Sequence, residues 1–107
     1  IYAETPKDQS ERSDLQKRLD PILRKHKVDM YICGHIHNFQ HIRVPGSDTD
    51  YIVNSAGSLA RKVKPVEGTQ FCSPEPGFSV CSADKKELNL RMIDKKGNIL
   101  YTVTRKK

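Results

Sequence analysis

Two histidines separated by one residue, His35 and His37, are the side chains of this sequence best suited to chemistry, and Asn38 follows them directly. Imidazole is a borderline ligand that suits zinc, iron, copper or nickel. In an extended backbone, side chains two residues apart point the same way, with bases about 6–7 Å apart, so both rings can face one cleft. Gly34 precedes them and lets the backbone turn tightly. Two histidines do not complete a site, because a catalytic zinc draws on about three protein ligands and a two-metal centre also needs carboxylates. Asp29, Asp48 and Asp50 are the candidates within the chain, though none stands at a spacing that singles it out. The ordinary alternative is a pair of turn residues, with Asn38 satisfying the local backbone.

The elements around the pair read as follows. Ile1 to Ser10 is a strand end passing into a loop. From Ser13 to Lys27 the spacing of Leu15, Leu19, Ile22, Leu23 and His26 predicts a helix with one apolar stripe. Ser13 stands as its N-cap, basic residues fill its last turn, and Pro21 breaks or kinks it near Leu19. Val28–Cys33 is a short apolar run ending at Gly34, which predicts a buried strand with the histidines just beyond its C-terminal edge. Phe39–Val44 and Tyr51–Asn54 are the next strands, the last running into Ser55–Gly57. Arg61–Pro76, with its prolines and Gly68, reads as a long loop. Gly77–Ala83, Glu87–Asp94 and Ile99–Arg105 are three closing strands, with Lys95–Asn98 as a turn. The fold class is α+β, one helix followed by a β-meander, in a single unit spanning residues 1–107.

With 107 residues, 36% of them hydrophobic and 30% charged, and no tryptophan, the chain can bury one thin core. No run approaches the roughly 20 apolar residues of a membrane helix, so no membrane partner is expected. The net charge is +6, but the basic residues are scattered and lack interleaved aromatics for base stacking, which argues against nucleic acid and for a solvated surface with some attraction for phosphate. The three cysteines exclude a complete disulfide framework. Cys33 reads as a small buried residue, and a Cys72–Cys81 bridge stays open.

The string Gly34-His35-Ile36-His37-Asn38-Phe39-Gln40, after a helix and a short apolar strand, resembles the calcineurin-like metallophosphoesterases. Within them it resembles the low-molecular-weight purple acid phosphatases of the tartrate-resistant type. The likeness covers nearly the whole chain, including the helix with its internal Pro21, the Tyr51–Gly57 segment and the closing strands. It implies the C-terminal part of a four-layer αββα sandwich. It further implies that His35 binds the divalent ion and His37 the ferric ion of a two-metal centre, iron with zinc, manganese or a second iron, and that Asn38 and Gln40 orient the rings. The substrate would be a phosphate ester.

The upstream blocks of that family, with their bridging aspartates, tyrosine, asparagine and third histidine ligand, are absent. The sequence resembles a C-terminal third that begins just after the last of them, so the isolated chain is expected to be inactive and to self-associate through an exposed sheet face. Where relatives carry a histidine before the helix, Lys7–Arg12 has Gln9 and none. His41, often tyrosine in relatives, is the remaining candidate beside the metals. The compartment stays open, and the family allows an exported protein. The alternatives are a phosphodiesterase or nuclease of the same superfamily, a basic polyanion-binding module without chemistry, and a structural zinc module built from the histidines and cysteines.

Overall fold

The computed structural model describes residues 1–5, 9–54 and 57–106. Pro6, Lys7, Asp8, Ser55, Ala56 and Lys107 lie outside the described residues, and with them part of the Lys7–Arg12 loop and of the run into Gly57. Two helices, α1 (Gln9–Arg18) and α2 (Asp20–Lys25), precede seven strands: β1 (Met30–Cys33), β2 (Phe39–Ile42), β3 (Asp50–Asn54), β4 (Thr69–Ser73), β5 (Gly77–Ala83), β6 (Glu87–Asp94) and β7 (Ile99–Lys106). The chain is α+β, as its pattern predicts.

The helix breaks at Leu19, one residue before the Asp20–Pro21 pair that opens α2, because proline lacks the N–H that a continuous helix needs there. Ser13 is not the N-cap. The helix starts four residues earlier, where Gln9 Nε2 donates to the Thr5 carbonyl at 3.0 Å and Arg12 Nη1 to the Ala3 carbonyl at 3.1 Å. Those bonds tie the first turn to the N-terminal segment.

The first sheet has strand order β1-β3-β2-β4 and the second β5-β6-β7. The expected meander holds in the second sheet. In the first, β2 and β3 form an antiparallel pair, and β3 continues across to run parallel to β1, Met30 beside Asp50 and Cys33 beside Val53. β1 is therefore an edge strand, and Ile32 is 47% exposed where a buried run was expected. The expected Arg61–Pro76 loop contains β4. Gly68, in the left-handed region at φ 89°, lies so close to the Arg43 carbonyl that a Cβ would collide with it, and its own carbonyl accepts from the Arg43 N–H at 2.9 Å. That close approach feeds Thr69 onto β2.

Alternation along β2 and β3 divides two cores. Ile42, Tyr51 and Val53 pack with Ile1, Ala3 and Leu23 on the helical side, while Phe39 and Ile52 pack with Leu90, Met92 and Val103 of the second sheet. The layers run α, β, β, which accounts for three of the four in the sandwich. All three cysteines are free, and Cys72 and Cys81 belong to different sheets.

Two buried carboxylates bind the layers together. Asp20, at the start of α2, accepts from the hydroxyls of Tyr2 (2.6 Å) and Tyr51 and from Arg24 Nε (2.7 Å). Burial pushes the Asp20 carboxyl up, but those donors outweigh it and hold it below the ordinary value. Burial and the bond to Asp20 push the Tyr51 hydroxyl up to about 12.

Asp50, 1% exposed, joins the sheets. It accepts from His41 Nε2 (2.7 Å) and Arg43 Nη1 (2.8 Å) on its own sheet and from Arg105 Nη1 (3.2 Å) on β7. Tyr101 on β7 meets His41 Nδ1 at 2.9 Å. For Asp50 too, burial raises the carboxyl, and the His41 bond with the charges of His41, Arg43 and Arg105 more than reverses it.

An acid whose folded pKa is depressed contributes stability above its unfolded value, near 3.9, and loses it as pH falls through the folded value. Acidification below about pH 4 is therefore expected to destabilise the chain. Asp50→Asn should cost about 3 kcal/mol at pH 7, as breaking a buried ion pair does, and should narrow the difference in stability between pH 7 and pH 3. Denaturant unfolding at both pH values checks this; an unchanged difference would contradict it.

Candidate metal centre

The histidine turn joins β1 to β2 at the end of the sheet where Cys33 lies beside Val53. Its backbone is not extended. His35 and His37 both take positive φ, 79° and 68°, whereas the positive-φ glycines lie elsewhere, at Gly46, Gly68 and Gly97. A left-handed backbone costs an L-residue roughly 1–2 kcal/mol, and such strain gathers at functional sites. The rings are thus presented by two left-handed residues in place of the period of a strand.

His37 is clamped on both sides by the segment after β3. Its Nδ1 lies 2.8 Å from the carbonyl of Leu59, and its own carbonyl accepts from the Arg61 N–H at 2.6 Å. A carbonyl can only accept, so Nδ1 carries the proton and the lone pair of the neutral ring sits on Nε2. A backbone carbonyl holding one imidazole nitrogen while the other donates is the usual support of a metal-binding histidine. Sequence reasoning missed Leu59 and Arg61 because their contribution is main-chain, which no side-chain type signals.

His35 is exposed, at the end of an apolar groove of about 300 Å³ between the N-terminal segment, α1 and β1. Ile1, Leu15, Tyr31, Cys33 and Ile36 line the groove, with Glu11 and Arg12 among its walls. The Cys33 thiol is half-buried, is pushed up by burial, and lies 3.5 Å from the Ile52 carbonyl.

Asn38 and Gln40 are buried behind the turn. Gln40 Nε2 donates to Asn38 Oδ1 (2.8 Å) and to the Glu4 carbonyl (3.0 Å), and Gln40 Oε1 accepts from the Glu4 N–H (2.7 Å). The pair therefore fastens the N-terminal segment to the turn. Gln9 bonds Thr5 and Arg12 at the foot of α1. His41 lies between the sheets with both ring nitrogens engaged, by Asp50 and Tyr101.

The aspartates proposed as further ligands are at the wrong end. β1 and β3 run parallel, with Asp50 beside Met30 at their start, while the histidines follow Cys33 at their finish. Asp50 is also engaged by His41, Arg43 and Arg105, Asp29 reaches Arg105 at 3.3 Å, and Asp48 precedes β3 on that same side. Among the described residues no group of three or more histidine, cysteine or acidic side chains gathers as a metal would require. The donor chemistry fits a metal at His37 and His35 as part of a ligand set, not as a whole one.

No family model matches the chain. It is 32% identical over 94 residues to purple acid phosphatase 3 of Arabidopsis thaliana, a match that covers 82% of the chain and 25% of that protein. With purple acid phosphatase 4 of the same plant it is 32% identical over 93 residues, covering 82% and 27%. Among solved structures it is similar to GAP50, described as the anchor in the inner membrane complex of Plasmodium, with a TM-score of 0.80 and 28% identity over 88% of this chain and 30% of that one. The chain spans about a quarter of the length of the curated relatives it matches.

The ring clamp has a spectroscopic signature. Nitrogen-15 spectra of the neutral His37 ring are expected to show the proton on Nδ1 and the lone pair on Nε2; a neutral ring protonated on Nε2 would contradict the Leu59 contact.

Proposed function

Because the chain belongs to the purple acid phosphatase family of the metallophosphoesterase superfamily, we propose that it supplies one wall of the two-metal centre of a phosphoric monoester hydrolase. The observation that carries this reading is the His37 clamp, which leaves the ring's electron pair on Nε2. His37 and His35 would each donate an imidazole nitrogen to one of two ions, iron together with zinc, manganese or a second iron. Such a pair of ions supplies Lewis acidity that clamps and polarises a phosphate ester. The chain's own residues do the positioning. Leu59 and Arg61 hold the His37 backbone and ring, and Gln40 with Asn38 ties the turn to residue 4 so that the two left-handed residues keep their strained geometry.

Two donors cannot hold two metals against water, so the 107 residues alone should not turn over substrate. Assayed with a chromogenic phosphate monoester plus iron and zinc, the chain is expected to be silent. Turnover abolished by His35→Ala would overturn this division of the site.

The expected self-association has a candidate surface as well. Register puts Phe78, Ile93 and Ile99 side by side on the outer face of the second sheet, and Phe78 and Ile99 are 52% and 60% exposed. Val80 adjoins them on the same face, and a second copy could cover this row. Sedimentation velocity is expected to show a dimer that Phe78→Lys with Ile99→Lys dissolves. A monomer at high concentration would contradict it.

A further inference from the structure

The segment that clamps His37 carries more than a carbonyl and an N–H. From Gly57 to Val66 it contains Arg61, Lys62 and Lys64 and no acidic residue; the first carboxylate is Glu67. All three cations are exposed, and among the described residues none takes part in an ion pair. Among the described residues most ion pairs instead involve Asp20 or Asp50. Two hydrogen bonds to one histidine fix the segment's path, at Leu59 and at Arg61, so the Arg61 backbone is held against the histidine turn, with Lys62 and Lys64 following within three residues.

We propose that residues 57–66 form a phosphate-recruiting rim for the histidine turn, with Arg61 contacting the phosphate group of a monoester and Lys62 and Lys64 steering it inward. The proposal rests on the phosphatase reading of that turn. The planar guanidinium has a fork of donors that matches two phosphate oxygens, whereas ammonium groups act as point charges. A patch of one sign beside a site raises the local concentration of an oppositely charged substrate, with an effect that salt weakens. Anchoring matters here because the Arg61 N–H already bonds the His37 carbonyl, so the base of its side chain cannot drift from the turn. The same main-chain bond makes the side chain open to test, since substitution leaves the N–H in place.

The test follows amide and guanidinium resonances of the nitrogen-15-labelled chain during titration with phenyl phosphate, with sodium chloride at matched ionic strength as the control. Saturable shifts centred on Arg61 and the His37 amide are expected, absent with chloride. Arg61→Ala should weaken the binding at least tenfold, Arg61→Lys should restore it only in part, and Lys64→Ala should weaken it a few-fold. Equal binding by Arg61→Ala, or shifts that never saturate and are matched by chloride, would overturn the proposal. Titrating zinc into the same sample separates the two readings. At a millimolar excess of zinc, where imidazoles of an incomplete ligand set still bind a single ion weakly, unperturbed His35 and His37 rings would overturn the metal reading while leaving an observed phosphate site standing, and perturbed rings with no Arg61 response would do the reverse.

Discussion

A single buried carboxylate sets the relation between the two sheets. Asp50 lies at the start of β3, within reach of His41 and Arg43 from β2 and its flank and of Arg105 from the far sheet. Buried alone it would be costly; surrounded by three donors it becomes directional, because each donor must come from a particular place. The apolar layer of Phe39, Ile52, Leu90, Met92 and Val103 supplies attraction between the sheets but little geometry. The polar knot supplies the register, and the Phe71–Tyr101 stack beside it, with centroids 4.4 Å apart, adds area.

From that register the position of the histidine turn follows. β3 lies between β1 and β2, so fixing β3 fixes both strands whose ends the turn connects. The cross-link and the histidine turn stand at opposite ends of β3: Asp50 is its first residue, and the turn follows β1 where Cys33 lies beside Val53. At the near end, neutral bonds take over. Gln40 and Asn38, both buried, hold the N-terminal segment, and Leu59 and Arg61 hold His37.

Much of this was legible in the residues. Pro21 announced the break at Leu19, Leu90 and Met92 announced the buried face of β6, and the Gly-His-x-His-Asn-x-Gln string announced the family that the plant phosphatases then bore out. β4 escaped because it lies between Pro65 and Pro74 in a stretch without period, and it pairs only because Gly68 can press against the Arg43 carbonyl. β1 read as buried because its residues are apolar, but composition does not say which strand stands at an edge. The left-handed backbone of His35 and His37 was hidden for a related reason: the presence of Gly34 directed attention to the residue permitted to turn, while tertiary bonds imposed the turn on its neighbours.

That strain has an evolutionary side. Positions with φ near 70–80° are ones where glycine or asparagine rests more easily than histidine. Exchanging His37 for one of them would relieve the backbone but give up the ring's bond to the Leu59 carbonyl, so the fold itself has a stake in that imidazole. A substitution there loosens two places at once, the turn and the segment from Leu59 to Arg61 that leans on it.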